Sequence, residues 1–193
     1  MKLNFDSVLN GIISNVLNAQ ELIDESELLF KNDKFARAYL LSHFAIEEAS
    51  KCAMLLKLLS FIVWEEKIDE VVVRKRYHNH KEKIQNFKLL KIFLDDKEVD
   101  VNLMNILKNQ STYVTWDNEN NFKLPSDCVN KEDVKELFEM ALKYVKLFTK
   151  ITIQFSSDKE KSIDNIKNNK DNPFIKDIID YEKNRTSRKI KFG

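Results

Sequence analysis

Only two glycines and two prolines occur in 193 residues, so the chain has few means of turning sharply. Folds rich in β-turns draw on glycine for positive φ and on proline for a fixed one, and an all-β architecture is disfavoured. Phosphate-cradling loops are disfavoured on the same ground. Neither G-x-x-x-x-G-K-[ST] nor G-x-G-x-x-G is present, which sets aside nucleotide binding through such loops. Long helices remain as the way to build a core. The 43% hydrophobic and 33% charged content is that of one globular domain with a charged surface.

Apolar spacing predicts where the helices fall. Val8, Ile12, Val16 and Ile23, with Ile13 and Leu17, recur at helical intervals and predict a first helix from about Asp6 to Phe30, capped by Asp6 or Ser7. Asn32-Asp33 reads as a turn and a fresh cap. A second helix follows over about Lys34 to Trp64, with a stripe of small residues at Ala38, Ser42, Ala45, Ala49 and Ala53 that lets another helix approach closely. Ile68 to Val73 either extends that helix or forms a short extended piece, and Arg74 to Lys81 (RKRYHNHK) is a basic, polar connector. A third helix is expected over Lys81 to Leu94, a break at Asp95-Asp96, and a short fourth helix over Val99 to Leu107. Tyr113 to Trp116 is β-branched and aromatic and reads as extended. Asp117 to Asn121 is a polar turn, and Leu124-Pro125 closes the loop. The last core helix runs from about Lys131 to Phe155, its apolar face formed by Val134, Leu137, Phe138, Ala141, Leu142, Val145 and Phe148.

Beyond Ser156 the composition turns polar. Ser157 to Asn172 is Lys/Asn-rich and reads as a linker, and Phe174 to Tyr181 could form one amphipathic helix. Asn184 to Gly193 is basic through Arg185, Arg188, Lys189 and Lys191, either an arm that docks on a partner or a solvated terminus. This divides the chain into a helical domain over residues 1–155 and a polar tail over 156–193. The fold class is all-α, with one short extended segment.

A net charge of +1 argues against a protein that coats nucleic acid, while leaving room for local basic patches. Cys52 and Cys128 have no metal-ligand spacing. They fit a reducing compartment, with Cys52 a buried hydrophobe in its helix. Met1 to Asn10 lacks the pattern of a signal peptide. The longest apolar run, Ala53 to Trp64, is interrupted by Lys57 and Ser60 and is too short to span a bilayer. A cytoplasmic location without membrane contact is expected.

Three groups of residues could carry chemistry. His43, Glu47 and Lys51 share one face of the second helix at i, i+4 and i+8. Glu47 ahead of Lys51 is a favourable ion-pair order, either a surface salt bridge of little worth or a partly buried pair that organises a site. No H-E-x-x-H accompanies them, and no metal site is expected. Arg74, Arg76, His78 and His80 cluster within seven residues. A guanidinium can hold phosphate oxygens bidentately and an imidazole can move a proton near neutral pH, as metal-free phosphodiester cleavage requires. The bland alternative is a basic connector with surface histidines. Lys108 and Tyr113 sit where the fourth helix gives way to the extended piece. There the lysine could hold phosphate and the tyrosine donate a hydrogen bond, unless Tyr113 is a core residue with a satisfied hydroxyl.

The segment Phe35-Ala36-Arg37-Ala38-Tyr39, followed by Ala45-Ile46-Glu47-Glu48-Ala49-Ser50-Lys51, resembles the AbiV family of abortive-infection proteins, with its A-[IL]-E-E-x-x-K signature on the second helix. His80-Lys81 resembles the family's His-Lys motif. Lys108 to Val114, ending in Tyr113-Val114 and followed by Pro125, resembles its second signature. The resemblance runs over residues 8 to 150 and implies a HEPN-like helical bundle, a class in which many members are metal-independent ribonucleases, toxins or phage-defence effectors acting as dimers. It implies Glu47, Glu48 and Lys51 as site-organising residues. Lys108, Tyr113, Arg74 and His80 are the candidates for a degenerate Arg-(four to six residues)-His catalytic motif. Arg76, His78, Lys81, Arg185, Arg188 and Lys189 then contact RNA or a partner. No cofactor is implied. The expected partners are a second copy of the chain, a phage protein as trigger or target, and RNA or the translation machinery. The alternative is a module that cuts nothing: one that recognises a phage or host protein, or a regulatory HEPN partner of a nucleotidyltransferase.

Overall fold

The computed structural model describes residues 3–67, 69–79, 83, 100–117, 119 and 121–172. Its first two helices take up the long periodic runs: α1 spans Phe5–Lys31 and α2 spans Phe35–Val63. The cap of α1 lies earlier than Asp6 or Ser7. Asn4 Oδ1 accepts from the Ser7 N–H at 2.9 Å, and Ser7 Oγ accepts from the Asn4 N–H at 3.0 Å, a reciprocal box that makes Ser7 the third helical residue. Asn32-Asp33 does turn the chain, with Asp33 left-handed at φ 56°, a conformation Asp tolerates better than most residues. Neither caps α2, whose N-cap residue is Lys34, with no side-chain cap hydrogen bond.

The small-residue stripe explains how the bundle closes. Ala38, Ser42, Ala45 and Ala49 are all buried. Ser26 of α1 donates to the Ala38 carbonyl at 2.8 Å and lies 2.8 Å from Ser42 Oγ, so even the polar atoms of the seam are satisfied. Further along the same seam, a Cβ on Gly11 would come within 3.2 Å of Leu55 Cδ1. Cys52 lies here too, its Sγ 3.7 Å from the Ile12 carbonyl, and burial pushes its thiol pKa up, as suits an inert core residue.

After α2 come α3 over Glu70–His78 and α4 over Val101–Thr112, capped by Asp69 and Asp100. The basic connector is thus helical through His78. The expected third helix and the Asp95-Asp96 break lie outside the described residues, apart from Lys83. The extended piece is β1 (Thr115–Trp116), paired antiparallel with β2 (Phe122–Lys123). One turn, α5 over Pro125–Cys128, leads into α6 over Lys131–Ser157. Asn130 and Asp133 box the start of α6, and Val134, Leu137, Ala141, Tyr144, Val145 and Phe148 are its buried face. Helices α1, α2 and α6 pack on one another, and α4 packs on α2. Tyr39 reaches from α2 to the Met104 carbonyl of α4 at 3.5 Å, its phenol held un-ionised chiefly by burial and then by Asp133 and Glu136.

The polar segment read as a linker contains a helix, α7 over Lys159–Asn168. Its apolar stripe is narrow, only Ile163 and Ile166 against the core, and lysines and asparagines outweigh it in composition. Asp158 caps it, Trp64 Nε1 donates to the Ile166 carbonyl at 2.8 Å, and Lys170 reaches the Trp64 carbonyl at 3.2 Å. The Phe174 to Tyr181 helix and the basic arm lie outside the described residues.

Leucine at Ala45, which is fully buried, should overfill the seam and lower stability by roughly 1–3 kcal/mol. The check is a lower urea midpoint at unchanged m-value, with exposed Leu17→Ala moving by no more than about 0.5 kcal/mol.

Candidate functional site

The middle of α2 carries its polar residues into the core. His43 and Glu47, one turn apart, are both buried, Glu47 at 4% exposure. Lys83, 7% exposed, places Nζ 3.2 Å from Glu47 Oε2, and His43 Nδ1 lies 3.7 Å from Glu47 Oε1. A carboxylate taken out of water needs a cation and hydrogen bonds close by, and Lys83 supplies the cation. Together with Ile46, Ser50, Val101, Met104 and Asn105, these three line a cavity of about 10 Å³, the space of roughly one water molecule. Helix α4 forms its far wall.

Glu47 and Lys51 do not form the pair that their spacing suggested. Lys51 turns to Glu48, with Nζ 2.5 Å from Oε1, while Glu47 faces inward. Consecutive residues project about 100° apart on a helix, so the Glu47-Glu48 doublet splits between core and rim. Lys51 also lies 5.1 Å from the centre of the Tyr77 ring. Tyr77 Oη donates to Asn15 Oδ1 at 2.8 Å, and Asn15 Nδ2 to the Gly11 carbonyl at 2.8 Å. One chain of contacts therefore joins α2, α3 and α1.

Helix α3 displays the basic cluster. Arg74 is exposed, with Nη2 4.0 Å from Glu70 Oε2. Lys75 and His78 are exposed and Arg76 is half-buried. His80 and Lys81 lie outside the described residues, as do Arg185, Arg188 and Lys189.

Lys108 and Tyr113 mark the end of α4. The Lys108 carbonyl accepts from Ser111 Oγ at 2.7 Å and Thr112 Oγ1 at 2.8 Å, which closes the last turn, and the Tyr113 N–H donates to the Asn109 carbonyl at 3.0 Å. Tyr113 is 66% exposed, so it is no core tyrosine. No hydrogen bond or ion pair links Arg74 to Lys108 or Tyr113 among the described residues. Next to them the ribbon is tied at its tip by Asp117 Oδ1, which accepts from the N–H groups of Glu119 and Asn121, both at 2.9 Å. In the β1–β2 register Trp116 opposes Phe122, their rings stacked at 5.4 Å. Continued by one residue each way, that register sets Val114 across from Leu124, so the four share one ribbon face, and all four are more than half exposed.

A bundle of long helices with only a small two-stranded ribbon is an all-α architecture of the HEPN-like kind. The family model HEPN_AbiV, described as AbiV, matches residues 7–146, and the chain belongs to that family. No curated protein and no solved structure matches the chain. The family points to a role in abortive infection, a form of phage defence. Among the described residues no helix is long and apolar enough to cross a membrane, and no cluster of three His, Cys, Asp or Glu could hold a metal ion.

Lys83 is the site residue that the sequence did not flag. It lies 36 positions from Glu47 in a lysine-rich stretch, and no local spacing marks it.

The Asp117 carboxyl is held below its ordinary value of 3.8, first by the Asn121 N–H, then by the Glu119 N–H and Lys123. A depressed folded pKa means that its support of the turn is complete above pH 3.8 and is lost as pH falls through the lower folded value. The amide resonances of Glu119 and Asn121 should therefore still hold their native shifts at pH 3.8 and move together only as pH falls through the lower folded value. In Asp117→Asn they should show no such step.

Proposed function

We propose that this chain is an abortive-infection effector of phage defence that arrests the infected cell by binding or cleaving RNA, or by blocking translation. The observation that carries the reading is the exposed row of Arg74, Lys75 and His78 on α3, the helix whose cap residue Asn79 is hydrogen-bonded to Lys83 of a buried charged pair. Basic side chains in water suit phosphate, and a buried ion pair contributes little net stability, so its presence beside them speaks for a working site.

In the cleaving version Arg74 and Lys108 hold the scissile phosphate. His80 or Tyr113 exchanges protons with a ribose 2′-hydroxyl; the 2′-oxygen, having lost its proton, attacks phosphorus, the bond from phosphorus to the 5′-oxygen breaks, and that oxygen leaves with a proton from water. Glu47, Glu48 and Lys51 organise the site, and two copies of the chain bring two such surfaces together. No metal enters this scheme.

A second reading has its own support. Val114, Trp116, Phe122 and Leu124 offer an apolar ribbon face of the kind that marks protein-binding surfaces. In that reading the chain is an interaction module that recognises a phage or host protein through this face.

The test is end-labelled total RNA incubated with the purified protein, with and without EDTA. Cleavage that resists EDTA, and falls at least 100-fold in Arg74→Ala/His80→Ala or in Lys108→Ala/Tyr113→Ala, is the expected result and identifies the site. If no RNA is bound or cut, and Trp116→Ala/Phe122→Ala loses phage protection while both basic double variants keep it, the interaction module replaces the RNA reading.

A further inference from the structure

Helix α3 has an unusual footing. None of its residues is buried, and only partly buried Val73 and Tyr77 lean on the core. Hydrophobic burial is what normally fixes a helix on a bundle, and α3 has little of it. Its placement rests on polar tethers. At its start, Glu70 Oε1 accepts from the backbone N–H of Leu3 at 2.9 Å. Towards its end, Tyr77 is held by Asn15 and covered by Lys51. Just past its end, the Lys83 N–H donates to the carbonyl of Asn79, the C-terminal cap of α3, at 3.2 Å. The ammonium of the same Lys83 is locked on Glu47 inside the bundle.

We infer that Lys83 is a positioning residue: its buried ion pair with Glu47 clamps the end of α3 to α2 and so sets where the basic face of α3 stands. The physical argument is one of competing effects. Two opposite charges removed from water recover little net stability. The charge-assisted hydrogen bond between them is nevertheless directional and short-range, and it acts just past the last turn of α3, where Tyr77 is the apolar contact with the core among the described residues. Glu47, one of the site-organising residues, thereby acts as the inner half of a clamp. The functional part of this inference rests on the reading of α3 as the phosphate-facing surface; the clamp itself does not.

The experiment is amide hydrogen exchange across the full chain, in wild type, Lys83→Met and Lys83→Arg. Lys83→Met should raise exchange at Val73 to Asn79 tenfold or more, while the core amides of α6 stay within about threefold. Lys83→Arg, which keeps the charge and the reach, should bring α3 back to within about threefold of wild type. The double variant Glu47→Gln/Lys83→Met removes both charges of the pair together. With neither half of the pair left alone, it should fold even where Lys83→Met does not, with the same loosening of α3.

Unchanged exchange in α3, a uniform rise in every helix, or an arginine variant as loose as the methionine one would each overturn the clamp. Phage protection is read in parallel. Protection that falls at least tenfold with α3 loosened, and returns with Lys83→Arg, is the expected result. Full protection with α3 loosened would overturn the functional part alone and remove α3 from the working surface.

Discussion

The structure depends on how closely other helices can come to α2. Alanine and serine along one side of that helix remove the side-chain bulk that ordinarily sets the distance between helix axes. Ser26 reaches across the seam to the Ala38 carbonyl and Ser42, which would be impossible over a row of leucines. With α1 seated at that distance, α6 closes over the remaining apolar surface, and α4 covers the flank bearing His43 and Glu47. The central position of α2 is therefore a matter of size before it is one of hydrophobicity.

That centrality decides the fate of the charged residues on α2. A glutamate on a peripheral helix would have pointed into water and paired weakly with whichever lysine drifted past. On a helix covered by neighbours, Glu47 has no such outlet, and its charge must be met from another part of the chain. Lys83 does this from 36 residues away. Glu48, one position on, keeps contact with the rim and pairs with Lys51. The adjacent carboxylates thus join the bundle interior to the surface network of Lys51, Tyr77 and Asn15, which spans three helices.

Much of the fold was legible because the long helices announce themselves by period. The α1, α2 and α6 runs, the Asn32-Asp33 turn and the extended Tyr113 to Trp116 segment all follow from local chemistry. What could not be read was of two kinds. Caps and a thin helix depend on one or two residues each: Asn4 displaced the expected cap, and α7 hid two isoleucines among lysines and asparagines. Contacts across sequence distance leave no local mark at all. The spacing of Glu47 and Lys51 favoured a partnership that burial overruled, and Lys83 carried no signal. The exposed face of the ribbon likewise appears only once the register sets Trp116 against Phe122.

The three-residue link from α1 to α2, Asn32 to Lys34, bears on how the molecule assembles. Closing so short a loop loses little chain entropy, so the α1–α2 hairpin can form from neighbouring residues alone. Helix α6 starts 68 positions after α2 ends and closes a far longer loop. During synthesis the hairpin is complete while the apolar surface that α6 will cover is still open to water. A newly made chain therefore passes through an interval in which its central helix is half-clothed, and that interval lasts until α6 has emerged.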